Sequence, residues 1–332
     1  MAVTGQADHP AAARIGRIGV WGHLDSLDGN ALRAYVRRAD ELGYGALWVP
    51  ETVGREPFTL LALACGEASR IALGTSIISI WGRDAQATRM GAMTLQEASG
   101  GRFVLGLGVS HAHLAERLRG HVYEKPLTRM REYLAAYRAA IYRGPGSERL
   151  DEPPVLVAAL RARMLGLAAT DADGAFPYLV TPQRLAWMRD RIDEAGAEST
   201  GAPPGAASPD RPLLAVTMPC VLERDPTAAR TAARAYLAPY LRVPNYLASW
   251  TQQGFDASDW EKPGSDRLVD AMVAWGDADA LRARTSGMRE AGADHVAIIP
   301  LAPDGTTEHL GVLEALAQAT PDGTTQGHTA AD

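Results

Sequence analysis

His111 is the residue that sequence alone best equips to move a proton. It ends the run Arg102-Phe103-Val104-Leu105-Gly106-Leu107-Gly108-Val109-Ser110-His111 and precedes Ala112-His113. An apolar stretch that breaks into Gly-x-Gly is a strand entering a turn. Such a turn admits a phosphate or a flat ring close to the main chain, and the amides beyond it can meet an anion. The same pattern also serves as a plain strand-to-loop turn, so the rest of the chain must decide. An unperturbed imidazole titrates near neutrality, which suits proton donation; a histidine that only hydrogen-bonds a ligand is the alternative. His111 and His113 are the one close histidine pair. No carboxylates at other strand ends clearly complete a set of three or four ligands, so no metal is expected. His113 and His121 read as surface-loop residues.

Residues at strand ends need a scaffold that gathers those ends. Two segments share one pattern: Ala39-Asp40-Glu41-Leu42-Gly43 leads into Tyr44-Gly45-Ala46-Leu47-Trp48-Val49-Pro50, and Met288-Arg289-Glu290-Ala291-Gly292 leads into Ala293-Asp294-His295-Val296-Ala297-Ile298-Ile299-Pro300. Each is a helix, a left-handed glycine stop and a strand apolar enough to be buried on both faces. The alternation predicts strands over 17–20, 46–49, 71–77, 103–107, 155–158, 174–180, 213–221 and 295–299. It predicts helices over 32–42, 84–99, 127–142, 161–170, 182–194, 227–238 and 278–291. Thr181-Pro182, Asp225-Pro226 and Asp277 are helix-start signals. Eight strands without a composition break favour one (β/α)8 TIM barrel over a doubly wound sheet. Its C-terminal rim would carry aromatic, hydroxyl and backbone groups, with His23 and His111 as the near-neutral titrating groups. No nucleophile there has an obvious base, so hydrolysis is not expected.

Two segments break the rhythm. Residues 195–211 are rich in Gly, Pro, Ala and Ser and read as an exposed loop. Residues 239–275 form an insertion carrying Tyr240, Tyr246, Trp250, Phe255 and Trp260, dense in aromatics for a chain that is 6% aromatic overall. It either caps a pocket or packs as a helical satellite. Residues 1–13 and 320–332 read as disordered ends of a single domain over 14–319. The chain has 332 residues, is 46% hydrophobic and 22% charged, and carries a formal charge of −6. That balance draws it neither to nucleic acid nor to an anionic membrane, and a small-molecule substrate is the expected partner. No apolar run reaches the ~20 residues of a membrane span, and no signal peptide is evident, so the cytoplasm is expected. Cys65 and Cys220 read as buried thiols.

Four of these stretches carry a family likeness. They are Arg102 to His111; Pro126 to Tyr133; Asp173-Gly174-Ala175 with Pro177-Tyr178 and Val180-Thr181; and Gly264-Ser265-Asp266-Arg267-Leu268-Val269-Asp270. With them the chain resembles the bacterial-luciferase-like family, in its actinobacterial branch of coenzyme F420-dependent oxidoreductases, over about residues 15–316. The resemblance implies a TIM barrel with an insertion and a flavin or deazaflavin over its mouth. It places Glu51 at the deazaflavin end, as a catalytic and cofactor residue. It makes Ser76-Ile77 a bulged non-prolyl cis peptide behind the ring. Ser79, Val109 and Ser110 fall on cofactor contacts, and His111 falls where related dehydrogenases keep an acid–base residue. Leu160, Arg161, Arg163 and Met164 match the turn that receives the phosphate, and Thr181 matches a substrate-side position. Trp21 and Trp81 would wall the pocket. Two departures stand out. Thr52 replaces the histidine of related sugar-phosphate dehydrogenases, so sugar-phosphate oxidation is not implied. Arg161-Ala162 replaces Gly-Pro, so Arg161 either grips the phosphate or crowds it. The expected reaction is hydride transfer between F420 and an activated C=C, C=N or C=O bond. A reduced-FMN monooxygenase and a catalytically silent ligand-binding barrel are the alternatives, and a homodimer is the candidate assembly.

Overall fold

The computed structural model describes residues 10–145, 150–201 and 211–317. Its strands are β1 (Ile18–Trp21), β2 (Ala46–Val49), β3 (Ala72–Thr75), β4 (Ile78–Ser79), β5 (Phe103–Gly108), β6 (Val155–Val157), β7 (Gly174–Ala175), β8 (Leu213–Leu222), β9 (Ala274–Gly276) and β10 (His295–Leu301). All pairings are parallel, and β10 pairs with both β1 and β8, which closes an eight-stave barrel. β4 prolongs the third stave beyond a break at Ser76-Ile77 and pairs with the top of β5. The TIM barrel read from the alternation is therefore the fold.

Local chemistry sets the helices as expected. Thr181, Asp225 and Asp277 each accept a hydrogen bond from the backbone N–H three residues on, at 3.2, 2.8 and 2.9 Å. Gly43 and Gly292 take φ of +83° and +106°. Helix Pro57–Cys65 escapes a periodicity reading because PFTLLALAC is apolar almost all round. Helix Leu310–Leu316, two turns long, likewise escapes it.

Three expectations need correction. Residues 10–13 belong to helix Pro10–Ile15, with Ala11 buried, rather than to a disordered end; residues 1–9 and 318–332 lie outside the described residues. The loop expected over 195–211 begins later, because helix Pro182–Thr200 runs on to a left-handed Gly201; residues 202–210 are not described. The strand expected over 174–180 pairs only at Gly174–Ala175, and Phe176 to Val180 leave the wall as a buried loop. Cys220 is buried as expected, whereas Cys65 is half-buried.

The short β7 alters the wall of the barrel. β8 uses one edge for β10, from Ala215 to Val221. Its other edge meets β7 only at Leu213 and Leu214, then β9 at Cys220, Val221 and Leu222. The insertion thus returns a strand to the seam that β7 leaves open at the mouth. It includes helices Pro244–Thr251, Ala257–Trp260 and Asp266–Met272.

Inside the barrel the fully buried Trp48 packs between Phe176 and His295, at 4.8 and 5.6 Å between ring centroids. Its indole donates to His295 Nε2 at 2.9 Å, while His295 Nδ1 meets the Gly16 carbonyl at 2.8 Å. A carbonyl only accepts, so Nδ1 carries the hydrogen and the imidazole is neutral. Burial pushes its pKa down to about 4.

Candidate active site

A cavity of about 210 Å³ opens at the C-terminal mouth. β5 delivers Val109, Ser110 and His111 to it, and β6 delivers Ala158, Ala159, Leu160 and Arg161. Ile77 closes it from the third stave, Phe176 and Tyr178 from the loop after β7, and Asn245 and Tyr246 from the insertion. Ser76-Ile77 is a cis peptide, as the resemblance implied. Trp21 Nε1–H donates to the Ser76 carbonyl at 2.9 Å.

The glycines before His111 act differently from the expectation that a ligand approaches them. A Cβ on Gly106 would lie 2.0 Å from the Thr75 carbonyl oxygen, and one on Gly108 would lie 2.5 Å from Ile77 Cδ1. They let the third stave press against β5, which seats Ile77 under the cavity. The chain then turns at Ser110, whose φ of +54° is left-handed, and presents His111 at the slot.

His111 stacks on His113 at 5.9 Å and tilts against Tyr246 at 5.3 Å between ring centroids. Burial, with a smaller push from His113, lowers its pKa to about 4. The imidazole is therefore neutral at pH 7, which corrects the expectation of a group titrating near neutrality. His23 sits at the end of β1, edge-on to Trp21, and burial lowers its pKa too, against Asp25 and Glu308.

Glu51 is not on the cavity wall. Its carboxylate is 7% exposed and accepts from Arg83 and Arg119 at 3.0 Å and from the Ser79 N–H at 2.7 Å. It ties β4 to the loop after β2 and to the segment beyond the π-helical turn Leu114–Leu118. Ser79 is buried, and its hydroxyl accepts from the Trp81 N–H. Trp81 packs against His121 and Tyr123, and its indole donates to the Val109 carbonyl at 2.9 Å. Thr181 caps helix Pro182–Thr200, and its N–H donates to Gln253. Of the expected site residues, Ile77, Val109, Ser110, His111, Leu160, Arg161 and Met164 meet at the cavity. Glu51, Ser76, Ser79, Trp21 and Trp81 support its rim. Arg163 turns outward to a separate surface groove with Arg131 and Glu198.

Arg161 neither crowds the cavity nor stands free. It occupies the N-cap of helix Ala162–Thr170, and its guanidinium donates to Asn245 Oδ1 at 2.7 Å, joining the insertion to the fifth stave. Met164 and Leu165 N–H groups bond to the Arg161 carbonyl, so the amides of Ala162 and Arg163 lie outside the helix ladder. A flat ring fits this place: its walls are apolar and small at Ala158 and Ala159, and a guanidinium with open helix amides stands at one end. Sequence reasoning missed Ala158, Ala159, Tyr178 and Asn245 as lining residues. Tyr178 lay within a quoted motif; small alanines and a lone asparagine give no signal.

Fold and site define the class first: a TIM-barrel enzyme whose site lies at the strand ends. Residues 14–295 match the family described as luciferase-like monooxygenase, and the chain belongs to it. A Mycobacterium tuberculosis protein provisionally named a coenzyme F420-dependent oxidoreductase is 26% identical, over 90% of this chain and 97% of its own length. A 5,10-methylenetetrahydromethanopterin reductase of Archaeoglobus fulgidus is 25% identical, over 82% of this chain and 90% of its own. An F420-dependent secondary alcohol dehydrogenase, solved with an F420-acetone adduct, shares the fold with a TM-score of 0.73 and 15% identity. That likeness covers 92% of this chain and 98% of the other. The chain is thus an oxidoreductase of a family whose members include F420-dependent enzymes. No described helix is long and apolar enough to cross a membrane.

Proposed function

We propose that this oxidoreductase uses coenzyme F420 to exchange a hydride with an activated C=C, C=N or C=O bond of a small organic molecule. The observation that carries this reading is the apolar slot with a neutral imidazole, His111, on its wall and a guanidinium-flanked helix start at its end. The F420-dependent relatives support the choice of cofactor. Bound there, the deazaflavin supplies a hydride donor or acceptor at C5. Ile77, Val109, Ala158 and Ala159 give the ring a dry seat. Arg161 and the open amides of Ala162 and Arg163 meet the phosphate, and Tyr178 and Tyr246 keep water from the substrate side. His111, neutral at pH 7, accepts a proton when substrate is oxidised and returns it when substrate is reduced. Glu51 acts from behind, holding β4 in place. We place the enzyme in the cytoplasm as a homodimer acting on small molecules.

Equilibrium titration with F420 and, separately, with FMN tests the reading, through quenching of deazaflavin fluorescence and the flavin absorbance change. Binding of F420 in strong preference to FMN is expected. The family description favours one second reading, a reduced-FMN monooxygenase, for which FMN preference and oxygen uptake would be the result. Binding of neither would leave a silent barrel.

A further inference from the structure

Each polar side chain on the cavity wall can be asked what it already bonds. Arg161 and Asn245 hold each other. The Tyr123 hydroxyl donates to the Ser110 carbonyl at 3.3 Å. Tyr178 bonds the hydroxyls of Tyr236 and Tyr240. The His111 ring nitrogens and the hydroxyls of Ser110 and Tyr246 have no hydrogen-bond partner among the described residues. None is among the polar atoms sealed from solvent without a partner. Tyr246 is 9% exposed and lines the slot, and its hydroxyl keeps contact with solvent.

The backbone under Tyr246 is fixed from several sides. It lies in the first turn of helix Pro244–Thr251, whose start is held by Asn245 on Arg161. Trp250 donates to the Leu179 carbonyl at 3.3 Å, and Gln253 accepts from the Thr181 N–H at 2.8 Å. Tyr178 and Tyr240 pack against its ring at 5.7 and 5.3 Å. A side chain held this way can aim a donor without further ordering.

We infer that Tyr246 is a catalytic residue supplied by the insertion, and that its hydroxyl and the His111 imidazole together hold one substrate oxygen. This rests on the reading of the slot as an F420 site and narrows the three double bonds to C=O. In the oxidising direction the alcohol O–H proton passes to His111 while the carbinol hydrogen leaves as hydride to F420. The C–O bond becomes C=O, and Tyr246 donates to the oxygen throughout. Reduction runs the same transfers backwards.

The test loads the full chain with oxidised F420 and measures binding of acetone, 2-butanone and cyclohexanone through deazaflavin fluorescence, without turnover. Tyr246→Phe and His111→Ala should each weaken ketone binding by about tenfold, the effect of one lost hydrogen bond. F420 affinity should stay within about twofold of wild type. Unchanged ketone binding in Tyr246→Phe, or wild-type protein that holds F420 but no ketone, overturns the inference and leaves the cofactor reading standing. Loss of F420 affinity in Tyr246→Phe makes the tyrosine a cofactor contact and overturns it as well. Wild-type protein that binds no F420 removes both.

Discussion

His111 shows how burial redirects a residue that sequence identifies correctly. Its place at the end of β5 was legible from the apolar run and the Gly-x-Gly break. Its charge state was not, because that depends on Tyr246 and His113 packing over the ring. With the free-enzyme pKa near 4, kcat/KM for substrate oxidation should be flat around neutrality and fall as the pH drops toward 4. An acid limb near 6.5 instead would mean an imidazole in water. Substituting His111→Ala should lower kcat by about a hundredfold or more while F420 affinity changes little, and steady-state kinetics beside a binding titration separates the two. Arg163 was legible as a charge but not as a direction. One step along helix Ala162–Thr170 turns a side chain by about 100°, which carries Arg163 away from the slot that Met164 lines.

At the scale of elements, capped helices and strands apolar on both faces were readable, since local chemistry fixes them. Helix Pro57–Cys65 and the shortness of β7 were not. A helix without a polar face has no period to detect, and the length of β7 is set by its neighbours. Glycine likewise changes meaning with its element. Gly106 is gripped by Thr75, whose hydroxyl bonds both its N–H and its carbonyl at 2.8 and 2.9 Å. Gly166, within helix Ala162–Thr170, has open space where a Cβ would go. Gly106→Ala should destabilise the fold by about 3 kcal/mol or prevent folding, whereas Gly166→Ala should stabilise it by about 0.5–1 kcal/mol. Urea unfolding of the two variants gives opposite signs if the barrel wall is as tight at Gly106 as the contact distance requires.

Across the whole molecule, the eight-stave architecture and a site at its C-terminal rim followed from alternation alone, while the family likeness added the cis peptide. His295 makes a prediction at this scale. Its pKa is about 4 in the folded barrel and 6.5 when exposed, so its contribution is fully present above about pH 6.5. That contribution, on the order of 3 kcal/mol, is lost as the pH falls from 6.5 toward 4. Chemical-denaturation midpoints across this window should fall in the wild type and fall less in His295→Gln. An equal slope in both proteins would assign acid sensitivity to other groups.

The seam between β7 and β8 ties selectivity to integrity. The stretch that presents Tyr246 also ends in β9, which supplies the missing plank beside Cys220 and Val221. Drift in the residues that choose a substrate is therefore filtered by whether the barrel still closes. Grafting residues 239–275 from a relative would carry part of the wall with it, so chimeras should pair altered substrate range with altered melting behaviour.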